Sequence, residues 1–495
     1  MNIIDNDLLS IQEARILVEN AREAQKKTVV LSQEKIDEIV EKMLDEIDKN
    51  LESLSRESYE ETRQGNWKDK LIKDKYINDS LRNKLKDMKC VGLIENDKIN
   101  KVLSVGVPLG VIVAFCSTIS PVSTIVYKAI LAIKSGNTIV FSRHLKAKNI
   151  MKKTLDILIK AGEEAGLPEG ALSYLENLSF NGSKELIHHR DTSLILNTGV
   201  KELLEEMQKS GKQVIYGTIG NAPVFIEKTA NIQKAVRDVV ISKSFDYGVM
   251  PGAEHSIVVD GCIEKEVKCE LEINGAYFMK ESETENLMKI LFDKHGEIEK
   301  ECMGKSPQWL SQKANFKIDK DIKLLIVTPK YISKESLYSK EKLCPVISFY
   351  VEPDWQNACE KCIELLLSGK QGHTLIIHSK DEDVINQFIM KKPVGRILVN
   401  TPGAFGSIGG TTNLFPAMTL GSGLVGNGIT SDNISPMNLI YIRKVGYEVR
   451  DVDEFLKKYS SENNLECDVK NKFGEESIDL EALIKKILKE ISEKN

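Results

Sequence analysis

Residues Val107–Lys148 read VPLGVIVAFCSTISPVSTIVYKAILAIKSGNTIVFSRHLKAK, and this stretch decides the fold. Val107–Phe115 is an apolar run that closes in the loop Cys116–Pro121. A helical pattern follows over Thr124–Lys134, then Gly136-Asn137 as a turn and a second apolar strand, Thr138–Phe141. Strand, helix and strand in that order, with strands apolar on both faces, predict βαβ units around a buried parallel sheet.

The same texture recurs down the chain. Strands are expected at Leu194–Leu196, Val214–Ile215, Val224–Ile226, Ser256–Val259, Leu324–Val327, Val346–Val351, Thr374–His378 and Arg396–Asn400, with helical stretches between most of them. Upstream, residues 7–90 read as mostly helical. Ile36, Ile39, Val40, Met43 and Ile47 share one face, and Ser32 is available as a cap. Residues 401–436 are rich in Gly, Ser and Thr, a composition suited to loops that approach a ligand closely.

The composition narrows the function class. Of 495 residues, 41% are hydrophobic and 28% charged, and the net charge is -5. That balance predicts an ordinary soluble globular protein without the basic footprint of nucleic-acid binding. No apolar run is long enough to span a bilayer, and the acidic, helix-patterned N-terminus lacks the features of a secretory signal. A location inside a cell is expected. The nine cysteines are scattered and odd in number, so reduced thiols are expected. Cys359 and Cys362 form a C-x-x-C pair within a helical pattern, with no second pair at zinc-site spacing. They read as small buried side chains, and no metal is expected.

The chain resembles the CoA-acylating aldehyde dehydrogenases, which oxidise an aldehyde to an acyl-CoA with NAD. The resemblance rests on the opening stretch and on SKSFDYGVMPGAEHSIVVD, EKLCPV, QGHTLIIHS, GRILVNTPGAFGSIGGTTNLFPAMTLGSG and ITSDNISPMNLIYIRKV, in matching order from about residue 8 to 450. It implies an α/β architecture: a Rossmann-type cofactor domain with the N-terminal helical region over residues 1–240, an α/β catalytic domain over 241–425, and an oligomerising segment over 426–451. A linker over 452–476 and an amphipathic tail helix over 477–495 are read from composition and periodicity.

The family's chemistry needs a cysteine thiolate, an oxyanion donor that includes an Asn side chain, NAD and CoA. In the family, Phe-Asp is followed by four residues and the nucleophilic Cys. Here Phe245-Asp246 leads through Tyr247–Met250 to Pro251, which has neither a side-chain heteroatom nor an N–H. The oxyanion Asn position is Ser120. The Thr-Gly-Gly turn that opens a helix beside the NAD pyrophosphate reads Thr198-Gly199-Val200. The glycine-rich loop near the nicotinamide reads Tyr216-Gly217-Thr218-Ile219-Gly220-Asn221, so Val200 and Tyr216 are expected to crowd the cofactor. His144 stands in the strand-end motif. Glu341 matches the Glu that contacts the nicotinamide ribose, or serves as a surface or capping residue.

The resemblance therefore implies a degenerate member with doubtful NAD and CoA binding and a structural or regulatory role. It would act as a homo-oligomer, or in mixed oligomers with an active paralogue. The rival reading is an active dehydrogenase using a displaced thiol, with Cys116 ahead of Cys262 and Cys344; its alternative is a small core residue. A nucleotide-binding module without chemistry is a third reading, and it needs the altered glycine loops. In the tail, Leu480, Leu483, Ile484, Ile487, Leu488 and Ile491 form one apolar stripe. It resembles the encapsulation peptides that load enzymes into bacterial microcompartments, which makes a shell or cargo partner and a location in the microcompartment lumen the expectation. Docking on its own protomer or between subunits is the alternative.

Overall fold

The computed structural model describes residues 5–217, 220–329, 337–368, 372–423 and 428–460. The described residues form two compact units, one of residues 5–94 with 104–443, the other of residues 95–103 with 444–460.

Among the described residues there are fifteen strands. In chain order they are β1 (Gly92–Asp97), β2 (Val102–Pro108), β3 (Val111–Cys116), β4 (Thr138–Ser142), β5 (Leu172–Tyr174), β6 (Thr192–Thr198), β7 (Gln213–Gly217), β8 (Ala222–Ile226), β9 (Glu254–Asp260), β10 (Ala276–Phe278), β11 (Leu324–Val327), β12 (Val346–Glu352), β13 (Thr374–His378), β14 (Arg396–Val399) and β15 (Ile440–Gly446). Five of them form a parallel sheet in the order β5-β4-β3-β6-β7. Seven form a second parallel sheet in the order β10-β11-β12-β9-β8-β13-β14. A third sheet has the order β1-β2-β15. The first parallel sheet ends at Gly217 and the second begins at Ala222, ahead of residue 240.

The predicted apolar strands lie where expected, with one refinement. The run Val107–Phe115 is two strands, because β2 ends at Pro108 and β3 begins at Val111. Every residue of β3 and β4 is buried, as parallel strands covered on both faces should be. All fourteen residues of the helix Pro121–Lys134 are buried, two lysines among them, with Lys128 donating to the Phe115 and Leu196 carbonyls and Lys134 to Asp37. Three helices precede the sheet: Asn6–Thr28, Gln33–Thr62 and Trp67–Leu85. Ser32 caps the second by accepting from the Lys35 N–H at 3.3 Å.

Residues 452–460 depart from the expected linker. Val452–Ser460 is a helix with Val452, Phe455, Leu456 and Tyr459 exposed along one side. Those apolar residues recur at helical spacing, and their period outweighs the charged residues between them. The tail 477–495 lies outside the described residues. Among the described residues no helix is long and apolar enough to cross a membrane.

Candidate functional site

The strand ends of the five-stranded sheet face the loop before β9 across a narrow cavity of about 60 Å³. Ser120, Thr198, Gly199, Gly217, Gly220, Pro251 and Glu341 all line it, so seven of the residues singled out in the sequence meet at one place. A wider groove of about 420 Å³ adjoins it, sharing Ser117, Ile119, Gly199, Glu341 and Leu343 and adding His144 and Val200. This placement, at the carboxyl ends of parallel strands, is where open α/β sheets take ligands.

Pro251 stands at the cavity face. Its carbonyl accepts from Ser407 Oγ at 3.0 Å, which fixes the loop without using the side chain. The apolar neighbours Val249, Met250, Leu343, Met418 and Leu420 complete that wall. Among the described residues no thiol lines the cavity or the groove. Cys116, expected at the strand end facing the cavity, is instead packed in the core beside the Pro121–Lys134 helix. Burial raises its thiol above the ordinary value, against the pull of Lys128. Cys344 belongs to a separate core cluster, its thiol pushed up to about 12 by burial, and Cys262 is exposed.

Beneath the cavity lies an assembly that the sequence reading did not single out. Asp246 is fully buried and accepts from the Asn66 N–H at 2.8 Å, Lys73 Nζ at 2.8 Å and Lys70 Nζ at 3.2 Å. Its own N–H donates to Asp69 Oδ2 at 2.9 Å. The lysines reach on to the loop before the Pro121–Lys134 helix: Lys73 Nζ donates to Ser120 Oγ at 2.8 Å and Lys70 Nζ to the Ile119 carbonyl at 2.9 Å. Ser120 is the N-cap of the Pro121–Lys134 helix, yet its hydroxyl caps nothing and serves this lysine. Asp246 and Tyr247 adopt φ of 49° and 51°, so the chain turns in the left-handed region to aim the carboxylate downward. Gly65, at φ 73°, is fitted to it, since a Cβ there would stand 1.8 Å from Asp246 Oδ1. Desolvation pulls the Lys70 ammonium below its usual pKa, and the Asp246 charge opposes that pull. The signal was present in Lys70, Lys73, Ile77 and Leu81. They recur on one helical face, and all four are buried.

Glu341 borders a second buried cluster. His255 Nδ1 accepts from the Lys342 N–H at 3.0 Å and from Lys243 Nζ at 3.1 Å, so the neutral ring carries its proton on Nε2, which lies 3.8 Å from Glu341 Oε1. Burial raises Glu341 to about 8 and lowers Lys243 to about 8 and Lys342 to about 7. Glu254 is also buried, accepts from the Gly403 N–H at 2.7 Å, and is raised by desolvation to about 7.

The cofactor loop differs from expectation in two ways. The turn after Thr198 opens no helix at once; the next helix is Leu204–Lys209. The Asn197 side chain folds back on the turn, accepting from the Val200 N–H at 3.2 Å and donating to the Val200 carbonyl at 2.7 Å. Gly199, at φ 70°, sends its N–H to the Gly217 carbonyl at 3.1 Å. Val200 does line the groove, as expected. Tyr216 lines neither space: its ring is packed with Val214 and Met207, because alternation along β7 turns it to the core face. Thr218 lies outside the described residues. His144 lines the groove with its Nδ1 accepting from the Lys146 N–H at 3.1 Å, and burial lowers its pKa. Two ion pairs, Lys300–Glu202 at 3.2 Å and Lys201–Glu297 at 3.8 Å, join residues that line the groove.

Residues 4–271 match the family model described as aldehyde dehydrogenase family. A probable aldehyde dehydrogenase from Listeria monocytogenes is 40% identical and superposes with a TM-score of 0.89, covering 91% of this chain and 100% of its own. An acetylating aldehyde dehydrogenase from Geobacillus thermoglucosidasius is 38% identical with a TM-score of 0.88, over 91% and 99%. The bifunctional aldehyde-alcohol dehydrogenase of Escherichia coli is 31% identical over 437 residues, which are 87% of this chain and 49% of that one. The chain thus spans about half the length of the bifunctional curated relatives it matches. A parallel-sheet pair with its cavity at the strand ends, together with these matches, defines the class. The chain belongs to the aldehyde dehydrogenase family, in the branch whose members form acyl-CoA.

Proposed function

We propose that this chain keeps the framework of an acylating aldehyde dehydrogenase without its covalent turnover, and acts as a structural or regulatory partner. The observation that carries the reading is Pro251 at the cavity face, with no thiol among the described residues lining the cavity or groove. A carbonyl carbon bound there meets no nucleophile, so neither a thiohemiacetal nor a thioester forms. Ser120, held by Lys73, retains one hydroxyl where the family has an oxyanion Asn.

The residues around the groove fit NAD poorly. The Val200 N–H already bonds to Asn197, and the helix after the turn begins four residues past Val200, at Leu204. The groove cations Lys201 and Lys300 are paired with Glu297 and Glu202. Homo-oligomers, or mixed oligomers with an active paralogue, suit a chain with the fold and without the nucleophile. Recruitment to a microcompartment through 477–495 is part of the same reading. Its test is a fluorescent reporter carrying 477–495, with a known cargo peptide as the positive control: puncta support recruitment, and diffuse signal beside control puncta removes it.

The decisive assay incubates the purified chain with NAD, CoA and a panel of short aldehydes and follows NADH absorbance. The expected result is no formation above a blank. Robust NADH formation would overturn the reading, and its loss in Cys116→Ala would establish a displaced thiol.

A further inference from the structure

Far from the cavity, the helix Trp355–Ser368 and the residue that ends the helix Glu382–Lys391 meet in an apolar cluster with Phe225, Leu365 and Phe388. Cys359, 4% exposed, lies on the first helix. Lys392, 8% exposed, follows the second. Lys392 Nζ lies 2.6 Å from Cys359 Sγ, 2.6 Å from the Cys359 carbonyl oxygen and 4.2 Å from the Phe388 ring centroid. Among the described residues no carboxylate pairs with this lysine; its partners are a thiol, a carbonyl and a ring.

The carbonyl contact is an ordinary short charge-assisted hydrogen bond. The sulfur contact is not. Non-bonded carbon atoms rest at roughly 3.5–4.0 Å, and sulfur is larger than carbon or oxygen. A nitrogen and a sulfur 2.6 Å apart have the span of two atoms joined through one shared atom by single bonds. A lone cysteine carries no such argument; an amine held against its sulfur does.

We propose that Cys359 and Lys392 form a reversible oxygen bridge, Sγ–O–Nζ, with dioxygen as the oxidant. One dioxygen accepts four electrons: one of its oxygen atoms joins Sγ to Nζ, and the other leaves as water. Once the ammonium has released a proton to solvent, the thiol gives up its one hydrogen and the amine gives up one of its two, and both are found in that water. Reduction by two equivalents of a dithiol restores the thiol and amine and releases the bridging oxygen as water. The bridge ties a helix to the segment that leads into β14, across 33 residues of chain, and constrains the unfolded state as any cross-link does. Cys362, fully buried on the same helix, offers a competing disulfide partner.

The test uses the full purified chain, exposed to air-saturated buffer and compared with dithiol-treated protein by intact mass and peptide mapping. The expected product gains one oxygen and loses two hydrogens, joins the peptides of Cys359 and Lys392, raises the melting temperature, and disappears on dithiol treatment. Cys359→Ser and Lys392→Met each abolish it, and Cys362→Ser keeps it. No mass change in the unsubstituted chain overturns the proposal. So does a species that has only lost two hydrogens, survives Lys392→Met and vanishes in Cys362→Ser, which is a disulfide. So does oxygen addition that is unaffected by Lys392→Met, which is simple thiol oxidation.

Discussion

The floor of the cavity and its open face are held in different ways. On the floor, each oxygen of the Asp246 carboxylate accepts from at least one named donor, and two lysines carry its charge outward to the Ile119–Ser120 loop. On the face, Pro251 borders the cavity with an apolar side chain and Val200 lines the adjoining groove. The difference follows from energetics. A partner removed from the floor strands a buried charge, whereas a side chain changed on the face borders empty space and costs the fold little. The framework therefore tolerates change at its face more readily than at its floor.

Asp246→Ala is the hardest blow to this contrast. It leaves Lys70 and Lys73 buried without their carboxylate, and a loss of about 3–5 kcal/mol in denaturant unfolding is expected. A loss below about 1 kcal/mol would show that the floor is as tolerant as the face. Glu254 gives the next effect. Its folded pKa of about 7 lies above the ordinary 4.5, so the native state holds the proton longer than the unfolded chain. Its favourable contribution is complete below pH 4.5 and declines as pH rises through about 7, by about 3 kcal/mol in total. Subtracting the stability profile of Glu254→Gln from that of the unsubstituted chain isolates this slope; a flat difference between pH 4.5 and 7 would contradict it. Val200→Gly sharpens the other side. It removes the branched side chain but not the Asn197 bonds, so NAD affinity by calorimetry should improve by less than tenfold, about 1.4 kcal/mol. Smallest of all is Pro251→Cys. It restores a thiol at the face while Ser120 and the tied turn remain, and NADH formation should stay at the blank. Turnover restored by that change alone would mean the face was one residue from function.

Much of this was legible in the sequence, and the omissions have physical causes. The buried parallel strands announce themselves as apolar runs, since both faces are covered. Strands β1 and β15 do not: most of their residues are exposed or half-buried, which leaves no apolar run to find. The helix Val452–Ser460 was hidden by its charge. The positions of Pro251, Ser120 and Glu341 at the cavity followed from motif order, because loops at strand ends converge whatever their spacing. Lys70 and Lys73 were passed over because a lysine reads as surface until its partner is known, and that partner is some 175 residues away. Tyr216 was assigned to the wrong side because a loop motif says nothing of strand alternation, which turns its ring into the core.

The reach of Asp246 also has a meaning in time. Its partners at Asn66, Lys70 and Lys73 precede it by 180, 176 and 173 residues. At synthesis rates of roughly 5–20 residues per second, the lysines are made about 9–35 s before their carboxylate exists. Through that interval, burying the cationic face of the helix Trp67–Leu85 costs desolvation that no Asp246 carboxylate offsets. The cavity is therefore among the last parts of the first unit to be assembled on a nascent chain. Its floor is locked from the far side, by a residue made long after the helix that it holds.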